Sequence, residues 1–312
     1  MSLAFVFPGQ GSQSVGMLDA FGGSAAVRAL QAEADEALGE PLSTLIAEGP
    51  AEALALTVNT QPAMLVAGLA CYRAWREAGG PEPIAVAGHS LGEYTALAAA
   101  DAIDVGDALR LVRLRAQAMQ EAVPVGQGGM AAILGLDDEV VAQACREAAA
   151  DATAEVVEPV NFNAPAQVVI AGHRGAVERA CERAKALGAR RAMPLPVSAP
   201  FHSSLLVPAG RRLAEALTGI ELRVPAFRLV NNVDVAVETD PARICDALVR
   251  QASHAVRWVE VVHKLKALGA TRIVELGPGK VLAGLVSRID KSLPVSAVHD
   301  PASLDKALGE IA

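Results

Sequence analysis

Residues 88–92 read Gly-His-Ser-Leu-Gly, set between the apolar run "PIAVAG" and the alanine-rich "EYTALAAADAI". No other stretch restricts the fold as much. A serine between glycines, where a buried strand passes into a helix, fits only a tight turn whose backbone is strained and whose neighbours carry no side chain. Such a turn requires a strand before it, a helix after it and a sheet to hold both. The same alternation recurs along the chain. "LAFVF" stops at the glycine-rich "PGQGSQ", "PAMLVAGLACYRAWREAG" and "VGDALRLVRLRAQAMQEAV" have helical spacing, and "RLVNNV", "RIVELGP" and "PVSAVH" are further short apolar runs. Short apolar strands alternating with helices predict an α/β fold around a mostly parallel sheet covered on both faces.

Near Gly126 the rhythm changes. "MAAILGL" reads as a strand, "DDEVVAQACREAAA" as a helix, "EVVEPVNFN" and "QVVIAGH" as two strands joined at "NAPA", "GAVERACERAKALG" as a helix and "ARRAMPLPV" as a last strand. That order is β-α-β-β-α-β, the plan of a ferredoxin-like unit. It is placed at residues 126–198, inserted into a discontinuous large domain made of 1–125 and 199–312. A chain of 312 residues is long enough for both.

The turn has a chemical reading. It lifts the Ser90 hydroxyl off the sheet edge and leaves the Leu91 N–H, at a helix N-terminus, facing any oxyanion that develops there. The alternative is an ordinary strand-to-helix turn. A serine nucleophile needs a base. His89 sits in the turn itself, where its side chain must point away. His173 belongs to the inserted unit, and His254, His263 and His299 lie on or near helical segments. His202 lies in the proline-bearing "PVSAPFHSS" loop where the chain re-enters the large domain, a place suited to a catalytic group. No aspartate stands out as a third member, since Asp234, Asp240 and Asp246 all follow His202. On the helix "VGDALRLVRLRAQAMQEAV", Arg110 and Arg113 share a solvated stripe with Gln117 and Glu121. Arg115 instead has Leu111 and Met119 four residues to either side, on the apolar face. A buried arginine must meet an anion, either an interior carboxylate or the carboxylate of a substrate gripped in two-pronged fashion.

Other classes are disfavoured. A formal net charge of −8 repels phosphate backbones and anionic membranes, so neither nucleic acid nor membrane is expected as a partner. Four scattered cysteines with no CxxC pair suit a reducing cytoplasm better than a disulfide framework. "MSLAFVFPGQ" lacks the basic start of a signal peptide. "GQGSQSVG" has Ser14 where a dinucleotide fingerprint needs glycine, and "GPGK" is followed by Val281 rather than Ser or Thr, so nucleotide binding is not expected.

Taken together, "FPGQGSQ" (7–13), "TQPA" (60–63), "GHSLGEY" (88–94), Arg115 in "RLRAQAMQ", "NFNAPAQVVIAG" (161–172), "PFHS" (200–203) and "ELGPGKVLAGL" (275–285) resemble the malonyl-CoA:acyl carrier protein transacylase family, collinearly over nearly the whole chain. The resemblance implies an α/β-hydrolase-like large domain with a ferredoxin-like insert. It implies that Ser90 carries the malonyl group, that His202 is the base, and that a backbone carbonyl at Gln251 orients the imidazole in place of an acid. It further implies that Arg115 binds the malonyl carboxylate, that backbone N–H groups of Gln10 and Leu91 form the oxyanion hole, and that Gln61, Asn163 and Phe201 contact substrate. Phe201 is the residue that malonyl-selective members carry there. The implied partners are acyl carrier protein and malonyl-CoA or CoA, with no cofactor and no metal. An acidic carrier would need a local basic patch, for which Arg190, Arg191, Arg211 and Arg212, near the domain seam, are the candidates. Remaining alternatives are a serine esterase or thioesterase with the same turn, a carrier-docking module without catalysis, and an acyltransferase of polyketide synthesis or malonate decarboxylation.

Overall fold

The computed structural model describes residues 1–152, 154–197 and 199–311. The upper edge of the expected insert, at residue 198, lies outside the described residues. In chain order the strands are β1 (Leu3–Phe7), β2 (Ala85–Gly88), β3 (Gly128–Leu134), β4 (Val157–Ala164), β5 (Gln167–His173), β6 (Arg191–Pro194), β7 (Arg228–Val230), β8 (Val237–Glu238), β9 (Arg272–Leu276) and β10 (Val295–Val298).

They form two sheets. The first runs β10-β9-β1-β2-β7-β8 and is parallel except for β8, a two-residue antiparallel edge that the sequence did not announce. Alternation along β1 explains its two-faced burial. Leu3, Phe5 and Phe7 enter the core under the helices Thr57–Glu77, Gly92–Ala99 and Val105–Glu121, while Ala4 and Val6 face the helices Trp258–Ala267 and Val281–Ile289. The first of these helices begins at Thr57, earlier than the reading from Pro62, with Pro62 inside it. The Thr60 hydroxyl bonds the Leu54 carbonyl at 2.6 Å and steadies the turn that the proline leaves one donor short.

Register places the chemistry. Phe7 pairs with Gly88 and Val6 with Glu275, so the carboxyl ends of β1, β2 and β9 come out on one edge of the sheet. The loops that follow, with Asn231 and Asn232 after β7, are gathered there, the usual location of a site in an open parallel sheet.

The second sheet runs β4-β5-β3-β6 with antiparallel pairing throughout. Its strands and the helices Asp138–Ala150 and Arg174–Ala186 follow one another as β-α-β-β-α-β. Ala131, Ile133, Val168 and Ile170 pack against those helices as a core of their own, and Met130, Val160, Val169 and Ala171 line the opposite face. β4 is joined to the rest of the chain at the connection just before the helix Trp258–Ala267: Phe162 N–H donates to the Val256 carbonyl at 3.0 Å, and Val256 N–H to the Val160 carbonyl at 2.9 Å.

Candidate active site

Between β2 and the helix Gly92–Ala99 the backbone turns so sharply that side chains are excluded. A Cβ on Gly88 would fall 1.8 Å from the Gly92 carbonyl carbon, and one on Gly92 would fall 2.0 Å from the Phe7 carbonyl oxygen. Ser90 takes φ 53°, in the left-handed region that non-glycine residues avoid. Asn232 holds it there. Its side-chain oxygen accepts the Ser90 N–H at 2.7 Å and its amide donates to the Gly88 carbonyl at 2.7 Å.

Ser90 Oγ lies 2.7 Å from Nε2 of His202, which itself sits at φ 66° and is 5% exposed. The other ring nitrogen, Nδ1, is 2.8 Å from the Gln251 carbonyl oxygen. A carbonyl only accepts, so Nδ1 carries the proton and Nε2 is left to receive one from the serine. Burial, and after it the Arg115 guanidinium, hold the imidazole down at about 3, against the opposing pull of the Gln251 carbonyl. His202 is therefore neutral in the resting protein.

Arg115 is 1% exposed. It donates to Gln61 Oε1 at 2.9 Å, Gln251 Oε1 at 2.9 Å and Ser90 Oγ at 3.1 Å, and its guanidinium carbon stands 5.3 Å from the centroid of the Tyr94 ring. The two acceptors besides the serine are neutral amides. Among the described residues no carboxylate pairs with it, which removes the structural salt bridge from the two options left by the sequence. Burial lowers its pKa from the usual arginine value. A buried guanidinium with no directly paired carboxylate, beside a serine hydroxyl, can receive the anionic end of a ligand.

Ser90, His202, Arg115 and Gln61 open on a cavity of about 700 Å³ whose walls include Gln10, Leu91, Asn163 and Phe201, with Met130 and Val169 contributed by the second sheet. Neither the Gln10 nor the Leu91 amide N–H donates to an acceptor among the described residues. His89 also borders this cavity but is engaged away from the serine hydroxyl: its Nε2 is 2.7 Å from Asn163 Oδ1 and its ring is 5.5 Å from that of Trp258.

Two expectations at the periphery need adjusting. Arg113 is half-buried and paired with Glu40 rather than standing in a solvated stripe. Arg190 and Arg191 are exposed, with Arg191 opposite Leu134 at the far end of β3 from Gly128, while Arg212 is already paired with Glu121.

Sequence reasoning missed three groups. Asn232 was passed over in "RLVNNV", although adjacent amides where an apolar strand ends are a usable signal. Glu93, an acid within a helix whose eight residues are all buried, was another. The third is the side chain of Gln251, of which the resemblance marks only the backbone carbonyl.

The acyl transferase domain family matches residues 4–303. The malonyl CoA-acyl carrier protein transacylase of Salmonella typhimurium is 53% identical over 306 residues, 98% of each chain. Among solved structures, the acyl-carrier-protein S-malonyltransferase of Burkholderia pseudomallei is 63% identical with a TM-score of 0.97, covering 99% of this chain and all of that one. A malonyl-transacylase solved in complex with a type II polyketide synthase acyl-carrier protein is 50% identical with a TM-score of 0.96, covering 99% of this chain and 100% of that one.

Proposed function

Since the chain belongs to the acyl transferase domain family, and within it to the malonyl-CoA:acyl carrier protein transacylases, we propose that it moves malonyl groups from CoA to the phosphopantetheine thiol of acyl carrier protein by way of a malonyl ester on Ser90, in supply of fatty-acid synthesis. The observation that carries this reading is the contact of Ser90 with both a neutral imidazole and a buried guanidinium lacking a counter-anion.

In the first half-reaction Ser90 Oγ passes its proton to His202 Nε2 and bonds to the thioester carbonyl carbon. The resulting oxyanion is received by the Gln10 and Leu91 N–H groups, where loss of one such donor costs about 3 kcal/mol of barrier. The carbon–sulfur bond breaks and His202 returns the proton to the departing CoA sulfur. The carrier thiol then gives its proton to His202, attacks the ester, and Ser90 leaves with that proton. Arg115 takes the malonyl carboxylate while the Gln251 amide oxygen keeps its hold on the guanidinium, which fixes the ester carbonyl relative to the two N–H groups. Phe201 and Asn163 shape the acyl end of the cavity. Both half-reactions exchange one acyl group between protein-held groups and thiols, so the reading calls for no cofactor.

The same reading takes the first sheet with its helices as an α/β-hydrolase-like domain (1–125 and 199–312) and the second as a ferredoxin-like insert (126–198), supported by the strand order and the separate core. Four unpaired cysteines support residence in the cytoplasm, and no described helix is long and apolar enough to cross a membrane. Plain ester hydrolysis is the weaker reading, because an esterase has no use for the unpaired Arg115. Intact-mass measurement after mixing with malonyl-CoA decides: one malonyl group is gained by the wild type and none by Ser90→Ala. An adduct that survives the substitution removes Ser90 as the acyl carrier.

A further inference from the structure

Glu93 follows Gly92 in the helix after the serine turn, is 1% exposed and makes no ion pair among the described residues. One of its oxygens, Oε2, accepts two hydrogen bonds, from the Asn232 N–H at 3.0 Å and from Gln251 Nε2 at 2.8 Å. The second hydrogen on Gln251 Nε2 goes to the Ser90 carbonyl at 3.0 Å. Both amide hydrogens are thus committed on one side, and the amide oxygen is turned to the other, where Arg115 Nη2 meets it at 2.9 Å.

That ordering matters because the two ends of a glutamine amide are nearly equal in size and opposite in function. Turned the other way, Gln251 would present N–H to N–H against the guanidinium, and Arg115 would lose one of its two amide partners. A carboxylate is acceptor-only, so it can meet nothing but the NH2 end.

We propose that Glu93 is a positioning residue for acyl selection: its carboxylate fixes which way the Gln251 amide faces, and the fixed amide oxygen holds the Arg115 guanidinium where a substrate carboxylate can be gripped. The inference rests on the reading of Arg115 as the carboxylate clamp. Glu93 also touches Asn232, which secures the serine turn, but damage by that route strikes every acyl group alike. Selection by acyl group is therefore the informative readout. Burial pushes the Glu93 pKa up to about 7, against the downward pull of the Gln251 and Asn232 hydrogen bonds and of the Arg115 charge; the two bonds that Oε2 accepts need only a lone-pair oxygen.

The test is single-turnover acylation of Ser90 with malonyl-CoA and with acetyl-CoA. In Glu93→Leu the malonyl-to-acetyl ratio falls about tenfold or more, mostly through weaker malonyl-CoA binding, whereas Glu93→Gln, whose amide oxygen accepts the same two bonds, keeps it within about threefold of wild type. The double variant Glu93→Leu/Gln251→Leu is no less selective than Gln251→Leu alone. Equal losses for both substrates in Glu93→Leu overturn the proposal, and so does a Glu93→Gln ratio that moves as far as that of Glu93→Leu. If thermal melting shows Glu93→Leu unfolded, Gln251→Leu decides, and a wild-type ratio in that variant refutes the relay. Arg115→Ala separates the two levels. A ratio unchanged there defeats the clamp itself, whereas a ratio shifted there but not in Glu93→Leu removes only the part assigned to Glu93.

Discussion

Arg115 donates to the hydroxyl of Ser90 at 3.1 Å, so one hydrogen bond joins the buried cation to the nucleophile. The same guanidinium depresses the basicity of His202. A substrate carboxylate that neutralises Arg115 therefore both orients the acyl group and relieves the base of a neighbouring positive charge. An acetyl group does neither. On the proposed reading, selection and activation are two consequences of a single charge placement.

Removing that charge separates the two substrates. Hydrogen bonds to a charged group contribute about 1.5–3 kcal/mol each, so Arg115→Ala lowers malonyl acylation of Ser90 by about 3 kcal/mol, on the order of a hundredfold. Acetyl acylation is unchanged or faster, because His202 gains basicity. Arg115→Lys keeps the charge but loses the fork and falls between the two. Single-turnover rates with both thioesters measure this. Equal losses with malonyl and acetyl would count against a carboxylate-gripping role.

The acid side of the pH profile should be displaced. As the proposed base His202 acts while neutral, and with its pKa down at about 3 it stays neutral throughout the mildly acidic range. An ordinary histidine titrating near 6.5 would cost about tenfold in rate by pH 5.5; here acylation stays level from pH 8 to pH 5.5. In Arg115→Ala the acid limb moves to higher pH. Stability follows the opposite partner in the equilibrium. The folded pKa lies below the unfolded one, so the unfolded chain takes up the proton first. The stability tied to a neutral His202 is present above about pH 6.5 and is lost as pH falls from there toward 3. Thermal midpoints across that window fall more steeply for wild type than for His202→Gln.

The serine turn was legible because its constraint is local: Gly88 and Gly92 exclude side chains within a five-residue stretch. The apolar face that carries Arg115 was equally plain from helical spacing, but whether it met a carboxylate inside the protein was not. Asn232 and Glu93 escaped notice for the opposite reason. The bond from Asn232 N–H to Glu93 spans 139 residues, and nothing in either segment announces the other. Gln251 was marked only through family resemblance, since a glutamine on an amphipathic helix carries no sign that its carbonyl will meet an imidazole. The two-residue β8 lacks the length for any periodicity to show. The large sheet and the β-α-β-β-α-β order of the second were legible because each element has its own apolar pattern.

Substitution at the turn tests the steric account directly. In Gly92→Ala the new Cβ would meet at 2.0 Å the carbonyl oxygen of Phe7, whose backbone belongs to a central strand of the sheet. Loss of about 4 kcal/mol or more is expected, read as a large drop in soluble yield and thermal midpoint. Gly284→Ala serves as the matched control. It lies inside the helix Val281–Ile289 with nothing within 4 Å of its would-be Cβ, so it should stabilise by about 0.5–1 kcal/mol.

Asn232 offers a substitution that alters chemistry with almost no change of shape. Asn232→Asp keeps an acceptor for the Ser90 N–H but replaces the donor to the Gly88 carbonyl with an oxygen, 2.7 Å from another oxygen. The pair repels, and the serine turn loses one of the bonds that keep it at φ 53°. Displacement of the nucleophile by a fraction of an ångström reduces the acylation rate by about ten- to a hundredfold while the thioester, held chiefly elsewhere, binds nearly as before. The loss is the same for malonyl and acetyl groups, in contrast to Arg115→Ala, because it acts on Ser90 rather than on the carboxylate grip. Steady-state kcat and KM for both substrates measure it, and an effect confined to KM or to malonyl would show that Asn232 does not act through the serine backbone.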